Sequence, residues 1–510
     1  MRPTLIAVLF AVFSVSTSEA QDDAMAAADA YQQAHEQQIL EEAFDFLALP
    51  NNAANRDDIL VNARHIVAML EARGADAQIL EASDSLPAVY GEILTPGATR
   101  TVMFYAHYDG QPALPENWTY PPFEPVMLSG RIDAGGAPVD WRDASVIDPD
   151  WRIYARSSSD DKSPIVALLT AIDALVAADI PLGVNIKFFF EGEEEAGSAH
   201  MRTMLETHRD LLAADFWVLA DGPVDPRGDP RIVLGVRGVT SMQLTVHGAS
   251  RDLHSGHYGN VAPNPAARLA HLIASMRAPD GRVLIDGFYD GVPAPSDAAL
   301  ALIESGAYDE DGLVAEPGIA GVEWRQGASY GEAVMVPALN ILGLSSAATG
   351  DATRNAIPST ATAAIGFRMV PGQTIPRIRE LVTAHLESEG YVILDRAPTP
   401  EERLAHPMIA EIHWSTSGYP AAVTQAEHPD VIRLTGLVAS TSDRPVRVVP
   451  ILGGSLPLAP IVDVLDVPFA IVPMVNPDNS QHAPDENLRV GHLWDGIRLY
   501  AVLMADDWED

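Results

Sequence analysis

The feature that most constrains this sequence is an apolar run that ends in a cluster of acids. Val184 to Phe190 reads as a buried strand, and Glu191-Gly192-Glu193-Glu194-Glu195 follows it directly. Carboxylates so close together repel one another and raise one another's pKa unless a cation lies among them. Divalent metal ions favour carboxylate oxygen, and zinc also accepts it. The segment therefore indicates that either a metal ion or Lys and Arg side chains lie beside the acids. A solvated acidic turn is the simplest alternative.

Two further predicted strands end in polar residues. The strand Thr101 to Tyr105 leads into His107 and Asp109, and the strand Phe216 to Ala220 leads into Asp221. Strand–helix–strand alternation predicts parallel strands, whose carboxyl ends meet at one edge of a sheet. The sequence thus predicts an α/β fold, with a mainly parallel sheet flanked by helices and a site at that edge.

A pair of acids also precedes a predicted helix. Asp160 and Asp161 come before Ser163, a good N-cap residue, and Pro164, at the favoured first helical position. Carboxylates are favoured at a helix N-terminus. We therefore expect Asp160 to join the strand-end residues at the same edge of the sheet.

The hydrophobic pattern of the predicted strands changes near residue 238, from continuous apolar runs to alternation of apolar and polar residues. Thr240 to His247 and Ala361 to Met369 alternate as half-exposed strands, and Pro263 to Met276 and Arg377 to Glu389 have helical periodicity. We predict a smaller α+β domain at 238–398, inserted into a larger α/β domain made of 21–237 and 399–510. Residues 279–335 within it are rich in Pro, Gly and acids, and are predicted to be irregular.

The N-terminus has the pattern of an export signal. Arg2 precedes an apolar core from Leu5 to Val15, and Ser18-Glu19-Ala20 is an acceptable cleavage site. We predict a signal peptide at 1–20 and an exported protein, periplasmic or secreted. The apolar core is shorter than the roughly 20 residues that span a bilayer.

Composition narrows the function classes. A formal net charge of -38 disfavours binding to nucleic acid and to anionic membranes. The sequence has 0 cysteines, which removes thiolate ligands and a cysteine nucleophile. Any metal site must therefore use His, Asp and Glu.

Seven polar residues of the predicted site edge form a possible donor set. Two metal ions about 3.5–4 Å apart need a bridging carboxylate, further ligands on each ion and a base for the attacking water. Two histidines with carboxylates suit zinc, with manganese or cobalt as alternatives. The set comprises His107, Asp109, Asp160, Glu194, Glu195, Asp221 and His482.

Eight segments in order resemble the M20 family of di-zinc metallopeptidases, and most of all its carnosinase-like dipeptidase branch. The segments are AHYDGQP, ARSSSDDKSP, FFFEGEEEAGS, VLADGP, RDLHSGHYG, FRMVPGQ, GGSLP and NSQHAPDE. The resemblance extends from about residue 55 to the C-terminus. Ala155-Arg156-Ser157 and Ser163 depart from the family's usual glycine-containing pattern around the bridging acid.

The resemblance implies a role for each residue of the donor set. His107, Asp160 and Asp221 would hold one zinc ion, and Asp160, Glu195 and His482 the other. Glu194 would be the general base, and Asp109 would accept the second imidazole N–H of His107. The Asp160–Asp161 peptide bond is expected to be cis.

The resemblance also implies that the inserted domain, 238–398, is a lid and dimerisation domain, and that 21–237 and 399–510 form the catalytic di-metal domain. His254 would reach into the partner subunit's site to stabilise the oxyanion, which implies a homodimer. Arg368 would bind the substrate's free carboxylate, and Asn340 and Ser455 would line the same pocket.

The sequence therefore predicts an exopeptidase that cleaves dipeptides or short peptides with a free C-terminal carboxylate. Two alternatives remain open at this point. An amidohydrolase of N-acyl amino acids would use the same scaffold, and a peptide-binding protein without catalysis would keep the fold but lose the base or a ligand.

Overall fold

The computed structural model describes residues 19–315, 317–325 and 328–509. Except for Glu19 and Ala20, the predicted signal peptide lies outside the described residues. No helix within those ranges combines the length and apolar character needed to cross a bilayer.

The helices of the described residues are numbered in chain order. They are α1 (Glu19–Leu47), α2 (Arg56–Glu71), α3 (Lys162–Ala177), α4 (Met201–Thr207), α5 (Ser255–Tyr258), α6 (Pro265–Met276), α7 (Asp297–Glu304), α8 (Glu310–Ala315), α9 (Tyr330–Val334), α10 (Ile375–Ser388), α11 (Pro400–Ala405), α12 (Pro429–Ser440) and α13 (Val490–Ala505).

The strands of the same residues are also numbered in chain order. They are β1 (Asp76–Leu80), β2 (Ala88–Ile93), β3 (Thr101–His107), β4 (Val126–Leu128), β5 (Arg152–Tyr154), β6 (Asn185–Glu191), β7 (Phe216–Leu219), β8 (Arg231–Val233), β9 (Gly235–Val236), β10 (Gly238–His247), β11 (Leu253–His254), β12 (Ala338–Ser345), β13 (Ala356–Ile357), β14 (Thr360–Met369), β15 (Val392–Leu394), β16 (Ile409–Trp414), β17 (Ala422–Val423), β18 (Arg447–Val449), β19 (Phe469–Ile471) and β20 (Asn487–Arg489).

The larger sheet positions the predicted site. Its spatial order is β1-β2-β6-β3-β7-β19-β8-β18. Strand β3 pairs in parallel with both β6 and β7, and β7 pairs in parallel with β19. The predicted parallel arrangement of the three site strands is therefore confirmed, and their carboxyl ends lie at one edge.

Burial on both faces explains why the central strands are almost wholly apolar. Phe188 and Phe190 face a core shared with α1, α3, α12 and α13, whereas Phe189 faces a second core shared with α4. Parallel strands covered on both faces read as continuous hydrophobic runs. Helix α3 is buried along nearly its whole length, which fixes its N-terminus against the site edge.

The smaller sheet has the order β12-β14-β10-β16-β15. One face is covered by α6 and α10, and its core includes Met242, Leu244, Phe367 and Met369. Residues of opposite parity, including Arg368, lie on the other face. The α/β fold with a second, α+β unit is thus present.

The predicted domain boundary at 398 is placed too early. Strand β16 pairs with β10 and runs parallel to β15, so the smaller sheet continues to Trp414. The short helix α11 makes the crossover between these two parallel strands, which is the usual connection for such a pair. The segment 279–335 also contains the short helices α7, α8 and α9, rather than irregular chain alone.

Candidate metal centre

His107 lies at the end of β3 and is buried. Its Nε2 atom lies 3.0 Å from Oδ1 of Asp160. Its Nδ1 atom lies 3.2 Å from the backbone carbonyl oxygen of Asp109 and 3.4 Å from the Oδ1 atom of the same residue. A proton on Nδ1 can be donated to Asp109, which leaves Nε2 free to bind a cation.

Asp160 is the point where the two histidines meet. His482 Nε2 lies 3.1 Å from Asp160 Oδ2 and 3.2 Å from Glu195 Oε2. Each carboxylate oxygen of Asp160 thus faces a different imidazole. The Asp160–Asp161 peptide bond is cis, as expected.

The structure brings the predicted ligands together in two overlapping groups. One contains His107, Asp160 and Asp221, and the other contains Asp160, Glu195 and His482. The donor atoms within each group lie within 4.8 Å of one another. Asp160 is common to both, as a bridging ligand must be. The ligand roles themselves stay a prediction.

The ionisable groups of this cluster have pKa values that are shifted by burial and by the neighbouring carboxylates. Burial raises the pKa of Asp221 to about 6, with His107 opposing the rise and Asp160 adding to it. Hydrogen bonds to Asp160 and Glu195 raise the pKa of His482 to about 10. Burial would lower the pKa of His107, but hydrogen bonds to Asp109 and Asp160 raise it well above its ordinary value.

A buried oxygen also lacks a partner within the described chain. Oε1 of Glu195 makes no hydrogen bond there, although buried polar atoms are normally paired. The other oxygen, Oε2, accepts a hydrogen bond from Nε2 of Gln111 at 2.8 Å. An unpaired carboxylate oxygen in a set of His and acidic donors fits divalent metal ions such as zinc. These residues therefore fit the predicted metals.

Glu194 is close to the cluster but belongs to neither ligand group. Burial raises the pKa of its carboxyl well above the ordinary value; His107 opposes this rise, and Asp221 adds to it. Asp109 fixes the loop that carries Glu194, because its Oδ1 and Oδ2 accept the backbone N–H groups of Glu194 at 3.1 Å and Glu195 at 2.9 Å. Asp109 therefore orients both His107 and the acidic loop.

Glu486 was missed by sequence reasoning, although it organises the loop of Asp160. Its fully buried carboxylate accepts hydrogen bonds from the guanidinium of Arg156 and from the backbone N–H groups of Ser157, Ser159 and Asp160. The backbone distances are 3.0, 2.9 and 3.0 Å, in that order. The only sequence signal was an acid in the same segment as His482.

The segment after α1 forms a second support for the site. The side-chain amide of Asn51 donates to the Tyr108 carbonyl at 2.7 Å and to Ser157 Oγ at 2.8 Å. Gly110 lies so close that an added Cβ would meet Ser157 Oγ at 2.5 Å. The two site loops are therefore held in direct contact.

Helix α3 begins at Lys162, so Ser163 is not its N-cap as predicted. Ser163 Oγ instead donates to the Ser158 carbonyl at 2.5 Å. Nζ of the buried Lys162 donates to the carbonyls of Phe46 and Leu49 at 2.9 and 2.8 Å, at the end of α1. These contacts tie the start of α3 to the N-terminal helix.

The predicted substrate-binding residues lie on the open face of the smaller sheet and beside it. Nη1 of Arg368 donates to Ser455 Oγ at 2.5 Å, which joins β14 to the Gly453–Gly454 loop. Arg237 donates to the Gly453 carbonyl and braces the same loop. Asn340 pairs with Gly366 in the neighbouring strand, so it shares the sheet face of Arg368. No hydrogen bond joins Asn340 to Arg368 or Ser455 in the described residues.

His254 lies on the short strand β11 of the smaller domain. It is exposed at the end of β11, and its Nδ1 accepts the Gly256 N–H at 3.0 Å. A neutral imidazole held this way carries its proton on Nε2. Within the described residues, His254 makes no hydrogen bond or ion pair to any predicted ligand.

Comparison with known proteins identifies the family. The sequence profile of the peptidase family M20/M25/M40 matches residues 103–506. The chain belongs to this family. The family prediction is thereby confirmed, and the protein is a metal-dependent peptidase.

Curated relatives and solved structures agree with that assignment. The human beta-Ala-His dipeptidase is 24% identical over 82% of this chain and 77% of its own length. The Cys-Gly metallodipeptidase of Schizosaccharomyces pombe is 25% identical over 82% of both chains. An M20 family metallo-carboxypeptidase from Sulfolobus solfataricus is 26% identical, with a TM-score of 0.71 over 92% of this chain and 99% of its own.

Proposed function

We propose that this protein is an exported, homodimeric di-zinc exopeptidase that hydrolyses dipeptides, or similarly short peptides, with a free C-terminal carboxylate. The observation that carries the proposal is the sharing of Asp160 by the groups His107–Asp160–Asp221 and Asp160–Glu195–His482. The curated relatives named above are dipeptidases, which favours dipeptides over N-acyl amino acids.

Two zinc ions held by the two groups would supply Lewis acidity and lower the pKa of water towards neutrality. Glu194 is the residue for proton transfer, since it lies beside the ligands without being one of them. Its carboxylate would take a proton from the attacking water and later give that proton to the departing amine nitrogen. A raised pKa suits a group that must both accept and donate a proton near neutral pH.

The residues of the smaller sheet would position the substrate. Arg368, held at Ser455, offers guanidinium N–H groups to a carboxylate, and paired donors of this kind give orientation as well as affinity. Asn340 would add an amide on the same sheet face. His254 of one protomer would donate its Nε2 proton towards the carbonyl oxygen in the other protomer's site, where negative charge develops.

A substrate panel tests the proposal. We would assay zinc-loaded, manganese-loaded and cobalt-loaded enzyme on free dipeptides, C-terminally amidated dipeptides and N-acyl amino acids. We expect hydrolysis of the free dipeptides, with loss of activity when the C-terminus is amidated. A preference for N-acyl amino acids would overturn the proposed function. Equal turnover of amidated dipeptides would also contradict the role of Arg368.

A further inference from the structure

Tyr419 has a position that the proposed mechanism does not yet use. It follows β16 in an irregular segment, and its backbone pairs with Val239: the Val239 N–H donates to the Tyr419 carbonyl at 2.9 Å, and the Tyr419 N–H donates to the Val239 carbonyl at 3.1 Å. Val239 is in turn the register partner of Arg368 on its other side. Tyr419 thus extends the smaller sheet locally beside β10.

This register places three side chains on one face. Residues directly opposite each other in antiparallel pairs project to the same side of a sheet. Arg368, Val239 and Tyr419 therefore lie in one row on the face that α6 and α10 leave open. Their neighbours Phe367 and Met369 point to the opposite, buried face.

The electrostatic surroundings of Tyr419 agree with this placement. Burial raises the pKa of its phenol, the Glu194 carboxylate adds to the rise, and the Arg368 guanidinium opposes it. The half-buried ring is therefore close enough to both groups to feel their charges. Its hydroxyl makes no hydrogen bond to any described residue, so it is available to a ligand.

The chemistry of a dipeptide fixes what must lie between Glu194 and Arg368. In the C-terminal residue, the scissile amide nitrogen and the free carboxylate are bonded through a single Cα atom. If Glu194 protonates that nitrogen and Arg368 binds that carboxylate, this Cα atom lies between Glu194 and Arg368. The substrate side chain on the same Cα atom then projects from that region. Val239 and Tyr419 are the next residues of the row that begins with Arg368, and the Tyr419 phenol also feels the charge of Glu194, so both side chains are placed to face this region.

We propose that Tyr419 contacts the side chain of the substrate's C-terminal residue and favours apolar or aromatic groups there. This inference rests on the proposed function. Its ring, with Val239 beside it, supplies an apolar wall, and Arg368 in the same row disfavours a basic side chain. Tyr419 would thus set specificity without taking part in bond cleavage.

Two dipeptide series test this inference. One varies the C-terminal residue (Ala-Gly, Ala-Leu, Ala-Phe and Ala-Lys), and the other varies the N-terminal residue (Gly-Ala, Leu-Ala, Phe-Ala and Lys-Ala). The ratio of kcat/KM for Ala-Phe over Ala-Gly is expected to fall about tenfold or more in Tyr419→Ala, since a lost apolar contact is worth roughly this factor. Tyr419→Phe keeps the ring and should keep the ratio. The Phe-Ala over Gly-Ala ratio should change less than about twofold in both variants.

The control is Tyr391→Phe, a substitution in the core of the smaller sheet, and thermal unfolding checks that each variant is folded. Equal changes in the two series, or unchanged C-terminal preference in Tyr419→Ala, would overturn the inference while leaving the proposed function intact. Wild-type enzyme that hydrolyses none of the dipeptides would overturn the proposed function and this inference together.

Discussion

The buried carboxylate of Glu486 accepts the backbone N–H of Asp160 at 3.0 Å, across 326 residues of sequence. The same carboxylate binds Arg156 and two serine N–H groups of the loop, so one side chain fixes the backbone that presents the shared ligand. The loop of His482 and the loop of Asp160 are thereby joined by direct contacts between protein groups.

Glu486→Gln should weaken metal binding about 10–100-fold, as is typical when a residue that orients a ligand is changed. A glutamine amide has one acceptor oxygen, and its NH₂ group would face N–H donors. The control is Asp485→Asn, since the neighbouring Asp485 bonds to Thr119 instead. Metal affinity is measured by competition with a chelator. Equal affinities for Glu486→Gln and Asp485→Asn would contradict the positioning role.

Glu194→Gln should lower kcat by about 10²–10⁴-fold, the usual contribution of a general base, while the metal content stays at the wild-type value. The carboxylate is outside both ligand groups, so its loss removes proton transfer and not a ligand. Glu193→Gln is the matched control, because Glu193 bonds to His200. Loss of metal from Glu194→Gln would show that the roles of Glu194 and Glu195 are reversed.

Metal binding should release protons, and the affinity should fall as the pH falls. In the metal-free chain, hydrogen bonds raise the pKa of His482 to about 10, and the pKa of His107 is also raised. The His482 imidazole is therefore protonated at pH 8, and the raised pKa of His107 favours its protonated form in the same direction. A protonated imidazole cannot bind a metal. Titration calorimetry at pH 8 in buffers of different ionisation enthalpy measures the protons released. A binding enthalpy that does not depend on the buffer would contradict these protonation states.

His254→Ala should lower kcat while substrate binding changes little, because its Nε2–H is proposed to act on charge that develops during the reaction. If His254 serves the other protomer, a mixed dimer of His254→Ala and Glu194→Gln chains contains one site with both groups intact. Mixing the two impaired variants should therefore give more activity than the sum of the two measured separately. His257→Ala, which changes the neighbouring histidine, is the control. No recovery in verified mixed dimers would contradict a shared site.

The strand ends were predictable from sequence because their pattern is local. Each of these strands is an apolar run that is followed within a few residues by site residues: His107, Glu194 with Glu195, or Asp221. Parallel pairing brings these strand ends together. The two overlapping groups around Asp160 follow from that topology. The predicted role of each residue in the donor set came from the resemblance to the family motifs.

The supports of the site were not predictable because they depend on contacts between distant segments. Glu486 and Asn51 are single polar residues in ordinary loops, and only the folded chain shows the backbone groups that they satisfy. Helix α3 begins at Lys162 rather than at the predicted Pro164, and Nζ of the buried Lys162 bonds to the end of α1, a contact between distant segments. Strand β16 was missed because its partners come from β10 and β15.

The number of metal ions per chain in Asp160→Ala tests the central claim most directly. Asp160 is proposed to lie between two metals, so this variant should lose both, whereas His482→Ala, which removes a ligand of one metal, should retain the other. Elemental analysis of the purified variants after dialysis against a limiting metal concentration gives the result. Two metals retained by Asp160→Ala, or one metal retained by both variants, would contradict a centre built on a shared carboxylate.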